Sequence, residues 1–372
     1  MQSLNERNHT NLLFFWVKNL SEEEKKAKRR MFKSRIECFV SFDVGKALEF
    51  RRLMEWAIDA LKGDVYYSST DGELPVFLHE NAFQVSGLDG DRIRMVNIRI
   101  CRPDIDFSLD SKANRRFSFP AKLYLPCKQF RYALEAIDKD STLNMLFSLQ
   151  YNTTVTRKVA DFRNPEFCPE CGRPTIYNQL PPEKRGKRHD RYKCVCGWKG
   201  KVKTKRRKAK FYESSLVAEK SKVEVEVEGK GKEKFEIVPF SFDLDEHQFT
   251  MPKIFFTGQV KVARVEFLKK LKRINKLTNT ATFVLNSDGL KALVREDYVR
   301  SASFEFSDDI ILYHRGKAKA GYNVRLLLKS FPPTGMVASL QFADNMPILI
   351  IAESDQFTAS QIEVWQAPIL ID

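Results

Sequence analysis

No stretch of the chain is apolar enough to cross a membrane as a helix. The apolar run "LLFFWV" at 12–17 falls far short of the about 20 residues such a span needs, and no signal peptide is visible. Histidine is scarce, with five in 372 residues and no two at a spacing that serves acid–base or metal chemistry. There is no glycine-rich phosphate loop, no nucleophile motif and no catalytic-metal constellation. These absences exclude the common enzyme classes and predict a non-enzymatic, soluble, intracellular protein. Seven cysteines are present; Cys38, Cys101 and Cys127 stand singly in apolar stretches, as small buried hydrophobes do, which suits a reducing compartment better than a disulfide scaffold.

What is abundant is positive charge, and it is concentrated. The chain carries a formal +15, yet the segment from Asp161 to Lys220 alone holds 17 Lys/Arg against 7 Asp/Glu. A compact basic segment in an otherwise mildly charged chain that is 43% hydrophobic points to a polyanionic partner, with a solvated basic loop as the alternative.

The same segment holds the other four cysteines. Cys168 and Cys171 form C-x-x-C in "CPECG", and Cys194 and Cys196 form C-x-C in "CVCG". Gly172 and Gly197 follow each pair, where tight turns are tolerated. Two such turns facing each other supply four thiolates in the tetrahedral set that a structural zinc prefers. The second pair encloses only Val195, where zinc ribbons usually have two residues, so His189 is a possible substitute ligand and four reduced thiols are the alternative. A closed four-ligand site has no open coordination position for catalysis. The expected cofactor is one structural zinc.

With this insertion removed, the flanks repeat an order of strands and short helices. "SRIECFVSF" alternates as a strand does, and 46–61 has helical periodicity, with Phe50, Leu53, Met54, Ala57 and Leu61 on one face. Strands are expected at "DVYYSS", "AFQVSGL", "IRMVNIRI" and "TLNMLFSLQY", a strand and helix in "AKLYLPCKQFRYALEAI", and a hairpin from "KVEVEVEG" to "KFEIVPFSF". The second half runs from "QVKVARV" into the helix "EFLKKLKRINKL". Strands follow at "ATFVLNS", "GLKALVRE", "SASFEFSDD" and "IILYHR", then the helix "VRLLLKSF" and strands at "VASLQFA", "PILIIAE" and "QIEVWQAPIL". Two helices amid antiparallel strands in each half imply an internal duplication of an α+β domain.

Four stretches then resemble one family, the proliferating cell nuclear antigen sliding clamps: "FQVSGLDGDRIRMVNIRI", "FDLDEHQFTMP" (242–252), "DNMPILI" and "WQAPIL", in that order. The resemblance covers 32–160 and 221–372. It implies a two-domain DNA-clamp fold with a zinc-ribbon insertion. The expected divisions are an N-terminal extension at 1–31, domain 1 at 32–242 interrupted by the ribbon and basic tail at 162–215, a connector at 243–258 and domain 2 at 259–372. Ordinary clamps lack the ribbon and the first 30 residues, and they are acidic where this chain is basic.

Clamps of this family close three chains into a ring whose helices line the hole, which implies a homotrimer around double-stranded DNA. A lining of this kind needs diffuse charge rather than base contacts. In the helix at 265–277, Phe267, Leu268, Leu271 and Ile274 share one face and Lys269, Lys272, Arg273 and Lys276 the other. Lys128, Arg131, Arg325 and Lys329 extend that lining from the two second helices, and Lys205, Arg206, Arg207 and Lys208 of the basic tail are further DNA candidates. Arg51 and Arg52 share their face with Glu55 and Asp59 and are weaker candidates. The resemblance also implies a partner-peptide pocket from Leu88, Ile93, Met95, Phe249, Met251, Pro347, Trp365, Ala367 and Pro368. DNA polymerase, other clamp-binding proteins and a clamp loader are the partners it implies. It places the subunit interface on Phe235, Ile237, Phe304 and Phe306, with Pro239 removing a backbone donor from one edge. Leu12, Phe15 and Trp16 have the spacing of a clamp-binding peptide, with His9 where a glutamine usually sits; packing of this run on the body is the alternative, and "SEEEKKAKRR" after it reads as an exposed helix or tether. A second functional reading is a clamp-like regulator that forms no ring of its own and binds another clamp or nucleic acid through its N-terminal peptide and ribbon.

Overall fold

Apolar residues recur every second position along most of the strands and every third or fourth along the helices, so each element has one face to bury. In the computed structural model these faces meet in an α+β arrangement. The structure describes residues 30–62, 72–89, 91, 93–110, 119–164, 176–178, 191–193, 199–201, 203–241, 254–296 and 300–369. The expected strand at "DVYYSS" and residues 9–16 lie outside these.

The first half runs β1 (Arg30–Phe42), α1 (Lys46–Leu61), β2 (Glu73–Leu78), β3 (Ala82–Leu88), β4 (Arg94–Cys101), β5 (Asp106–Asp110), β6 (Ala121–Pro126), α2 (Cys127–Glu135) and β7 (Thr142–Asn164). The basic segment contributes β8 (Ile176–Asn178), β9 (Arg191–Lys193), β10 (Lys199–Lys201) and β11 (Lys203–Leu216), and the hairpin of β12 (Lys222–Glu228) and β13 (Lys232–Ile237) closes this half. The second half runs β14 (Gly258–Ala263), α3 (Arg264–Asn275), β15 (Thr280–Asn286), β16 (Gly289–Glu296), β17 (Arg300–Glu305), β18 (Ile311–Gly316), β19 (Ala318–Asn323), α4 (Val324–Ser330), β20 (Val337–Phe342), β21 (Ile348–Ala352) and β22 (Gln361–Gln366). The chain divides into a body, Lys33–Asn152 with Ser214–Asp372, and a second unit around Thr153–Glu213. In that second unit β8, β9 and β10 form a three-stranded antiparallel sheet of order β10-β9-β8.

The duplication is visible in the body's sheet order. One sheet has the path β13-β12-β7-β1-β5, with β11 also on β7; a second is β17-β16-β15-β19; a third, of nine strands, is β18-β14-β20-β21-β22-β4-β3-β2-β6. Splitting the third between β22 and β4 gives each half one path of five strands and one of four. In the five-strand paths β1 and β14 hold the same place, each leading into the first helix of its half. In the four-strand paths β6 and β19 correspond, each passing directly into the second helix. The halves are joined edge to edge by β22 on β4, from Gln361↔Arg99 to Gln366↔Arg94.

β2, β5 and β19 went unread in the sequence, for identifiable reasons. β2 carries Pro75 and buries residues on both faces, so it does not alternate; β5 is short; β19 reads "AKAGYN", with small residues in place of branched ones. Two boundaries also shift. α3 starts at Arg264, so "RV" belongs to the helix rather than to the preceding strand. β13 ends at Ile237, so Pro239 lies past the edge strand and takes no donor from its ladder. Beyond it, Phe240 exchanges both backbone hydrogen bonds with Tyr124 of β6, at 3.1 and 2.9 Å.

Each half has its own core. Phe50 of α1 lies 4.2 Å from Phe42 and 5.6 Å from Phe83, ring centre to ring centre, and in the second half Phe267 stacks on Phe306 at 5.0 Å. Trp56 packs against both cores, and its indole N–H donates to the Lys329 carbonyl of α4 at 3.0 Å. Two further ties cross the junction: buried Asp104 accepts from the Ala359 N–H and the Ser360 hydroxyl, and Glu49 of α1 accepts from Thr334 and Ser354. Trp56→Phe keeps an aromatic ring between the two cores but removes the N–H donor to the Lys329 carbonyl. The expected loss is about 1 kcal/mol, read as a lower urea midpoint at unchanged slope.

Candidate nucleic-acid and partner-binding surfaces

The helices lie on the core side of the nine-stranded sheet, α1 against β4 and α4 against β22. α1 packs on α2, α3 on α4, and Trp56 joins α1 to α4, so the four make one layer in the order α2-α1-α4-α3. α3 forms because Phe267, Leu271 and Ile274 recur at helical spacing and are buried. The same spacing leaves Lys269, Lys272, Arg273 and Lys276 exposed, with Lys269 paired at 2.7 Å to Glu266, the helix's one acidic residue. α4 starts at Asn323, whose side chain accepts the Leu326 N–H at 3.0 Å, and it exposes Arg325 and Lys329, one turn apart. On α2, Lys128 is exposed, whereas Arg131 is paired with Asp59 of α1 at 2.5 Å. Arg51 is not part of a DNA-facing set: its guanidinium bonds the Glu135 and Ile137 carbonyls at the C-terminus of α2, at 3.1 and 2.6 Å, and pairs with Glu55 at 2.9 Å.

The pleat of the nine-stranded sheet sends alternate residues to its other face. Val96, Ile98, Ile350 and Val364 enter the two cores, while Met95, Leu349 and Trp365 form a third, separate apolar cluster with Leu88, Ile254, Phe256 and Ile351. The segment entering β14 covers this cluster: the Phe256 ring lies 5.6 Å from that of Trp365, while the Phe255 side chain between the two covering residues is 86% exposed. Trp365 is only 8% exposed, and its indole N–H has no hydrogen-bond partner among the described residues. Of the residues expected in a peptide pocket, Leu88, Met95 and Trp365 meet here. Ile93 is exposed, Pro347, Ala367 and Pro368 are half-buried outside the cluster, and Phe249 and Met251 lie outside the described residues. The sequence reading missed Ile254, Phe256, Leu349 and Ile351. "PILIIA" carried the signal for the last two, since a strand apolar at every position is covered on both faces.

Beside this cluster a polar ladder crosses the junction between the halves. His79 Nε2 donates to Gln84 Oε1 at 2.5 Å, Gln84 Nε2 to Asn97 Oδ1 at 2.7 Å, and Asn97 Nδ2 to Glu363 Oε2 at 3.1 Å. Burial holds the His79 pKa below its ordinary value, with the Arg99 charge acting the same way and the Gln84 hydrogen bond opposing. The folded state therefore favours neutral imidazole, and its contribution to stability is present above the unfolded pKa of about 6.5 and lost as pH falls below it. The melting temperature is expected to fall between pH 7 and pH 5, and His79→Gln is expected to flatten part of that slope in a thermal titration.

Of the expected interface residues, Phe235 and Ile237 lie on β13 and Phe304 on β17; each of these strands is an edge of its sheet. Phe306 follows β17 and is buried in the second core. Cys168, Cys171, Cys194, Cys196 and His189 lie outside the described residues, whereas Lys205–Lys208 fall within β11. Burial pushes the Cys38 thiol up to about 12 and, against the opposing charges of Lys62 and Arg131, the Cys127 thiol up to about 11. Both are expected to resist iodoacetamide at pH 8 in the native protein and to label only after unfolding. No described helix is long and apolar enough to cross a membrane.

Two tandem halves, each with a strand-led helix pair, joined through one nine-stranded sheet under a helix layer, make the two-domain DNA-clamp fold. Solved structures with this fold include the proliferating cell nuclear antigen of Thermococcus kodakaraensis, at 13% identity and a TM-score of 0.55, covering 89% of this chain and 100% of that one. The antigen of A. fulgidus, solved with the C-terminal region of FEN-1 bound, matches at 12% identity and a TM-score of 0.54, over 90% of this chain and 99% of that one. The PCNA2–PCNA3 complex of Sulfolobus tokodaii matches at 13% and 0.54, over 89% and 98%. At such identities the likeness is one of fold. No protein-family model and no curated protein matches the sequence.

Proposed function

We propose that the chain is the protomer of a DNA sliding clamp: three copies close head to tail into a ring, duplex DNA passes along the helix layer, and partner proteins dock on the sheet face opposite. The observation that carries this reading is the pair of matching free edges. Inside the chain, β22 at the edge of a five-strand path pairs with β4 at the edge of a four-strand path. The equivalent strands of the other two paths are β13 and β17, and among the described residues both end their sheets unpaired. Joining β13 of one copy to β17 of the next repeats the internal junction, and a heterologous contact of that kind closes into a ring when its rotation permits. The cationic faces of α3 and α4 support the DNA contact. The cluster around Trp365 supports docking of a short peptide with apolar side chains, in keeping with the FEN-1 segment bound by the A. fulgidus protein. Polymerase, other tethered replication proteins and a loader are the partner classes this implies.

The test is the mass in solution by light scattering at physiological salt. A value near three times 43.2 kDa is expected; a monomer at every concentration would overturn ring formation by this chain alone.

The reading includes one structural zinc held by Cys168, Cys171, Cys194 and Cys196. Supporting it, the register sets Ile176 of β8 and Lys199 of β10 on either side of Lys193 of β9. The start of β8, the end of β9 and the start of β10 thus share one end of the small sheet, and the cysteine pairs belong to the segments that adjoin it. Metal analysis is expected to find one zinc per chain, lost in Cys171→Ser/Cys196→Ser. A metal-free protein, or an unchanged zinc content in that variant, would remove the site.

A further inference from the structure

We propose that the face of the three-stranded sheet bearing Arg191, Lys193, Lys199 and Lys201 is a second contact for the phosphate backbone of duplex DNA, independent of the helix layer. The β9–β10 register places Lys199 opposite Lys193 and Lys201 opposite Arg191. Residues two apart on a strand share a face, so the four cationic positions form one block, about 5 Å across the strands and about 7 Å along them. β8 sets Ile176 and Asn178 beside that block, and none of the nine residues in the three strands is acidic.

Like charges directly opposite each other destabilise a strand pair, and a single glutamate in either strand would relieve them. This chain uses that remedy elsewhere. In the β12–β13 hairpin, Glu226 stands opposite Lys234 and Glu228 opposite Lys232, and these pairs are closed by ion contacts. Among the described residues of the three strands the two stacked like-charge pairs have no such relief, as suits a surface whose counter-charge arrives from outside. β11 extends the cationic character, with Lys203, Lys205, Arg206, Arg207, Lys208 and Lys210 at both odd and even positions. Such a density suits a polyanion that carries a charge every 1.7 Å or so, rather than a single small anion. The choice of duplex DNA as that polyanion rests on the clamp reading.

The experiment is anisotropy of a fluorescent linear duplex of about 20 base pairs, titrated with the full chain over a series of salt concentrations. Each phosphate contact contributes about −0.9 to the slope of log affinity against log salt. R191Q/K193Q/K199Q/K201Q is expected to make the slope shallower by about 3 to 4. A charge-swap variant, R191E/K193E, puts glutamates opposite Lys201 and Lys199. It is expected to keep or raise the melting temperature while weakening binding at least as much, so loss of binding cannot be put down to loss of the sheet. A slope unchanged in both variants overturns the contact, even if the block then proves to bind RNA or an acidic protein. K269Q/K272Q/R273Q/K276Q, run in parallel, tests the helix layer by itself, so failure of the sheet contact and failure of the clamp reading give different patterns.

Discussion

Replacing Tyr132 and Phe235 with aspartate is expected to convert a species near three times 43.2 kDa into monomers of 43.2 kDa. The two rings meet edge to face, centres 5.7 Å apart, where α2 packs beside β13. Tyr132 is nonetheless 67% exposed and Phe235 is only half-buried, although aromatic rings of this size are normally covered. They stand at the edge that the internal repeat leaves without a partner. If a neighbouring β17 covers them, they are the anchor type that dominates interfaces, where truncation costs about 2 kcal/mol or more apiece, roughly 30-fold per contact. A ring repeats each interface, so the effect on assembly is compounded. Neither residue is fully buried, so the monomer should melt near the parent. Leu312→Asp is the control: it is similarly exposed on β18, an edge the ring does not use, and is expected to leave the mass unchanged.

The second large effect concerns α3. Lys269, Lys272, Arg273 and Lys276 are exposed on one side of a helix whose other side is fully committed to the core. Their replacement by glutamine should leave folding intact and remove four phosphate contacts from each copy. In a trimer the slope of log affinity against log salt is expected to fall by about 3 or more, with binding weakened about 100-fold or more near 0.1 M salt. Arg51→Gln gives the opposite pattern. Its guanidinium serves two carbonyls at the end of α2, so stability falls while the DNA slope stays. A helix-face lysine and a helix-capping arginine look alike in composition; only their partners separate them.

That distinction also shows how far the sequence could be read. Helices at 46–61 and 324–330, with β1 before the first and β20 after the second, follow from apolar spacing alone, because a residue's side of a helix or strand depends only on its neighbours in the chain. The motif order around "GLDGDR", "DLD" and "WQAP" was enough to place the halves in one family of folds. What stayed hidden depends on residues far apart in sequence. Arg131 reads as a free cation until Asp59 is found beside it, 72 residues away. The run from Ile254 to Phe256 gives no sign that Trp365 lies beneath it, and Pro239 reads as a flaw in an edge strand that in fact stops at Ile237. The junction ladder from His79 to Glu363 joins short polar residues from four segments, and no local pattern announces it.

Encirclement itself is tested most directly by topology rather than by affinity. The protein is threaded onto a linear duplex, both ends are then blocked with streptavidin on terminal biotins, and the DNA is washed at about 0.5 M salt, where charge contacts are largely screened. A closed ring is expected to be retained through the wash and lost at once when the duplex is cut between the blocks. Release by salt alone, with the ends still blocked and the protein trimeric, would contradict it.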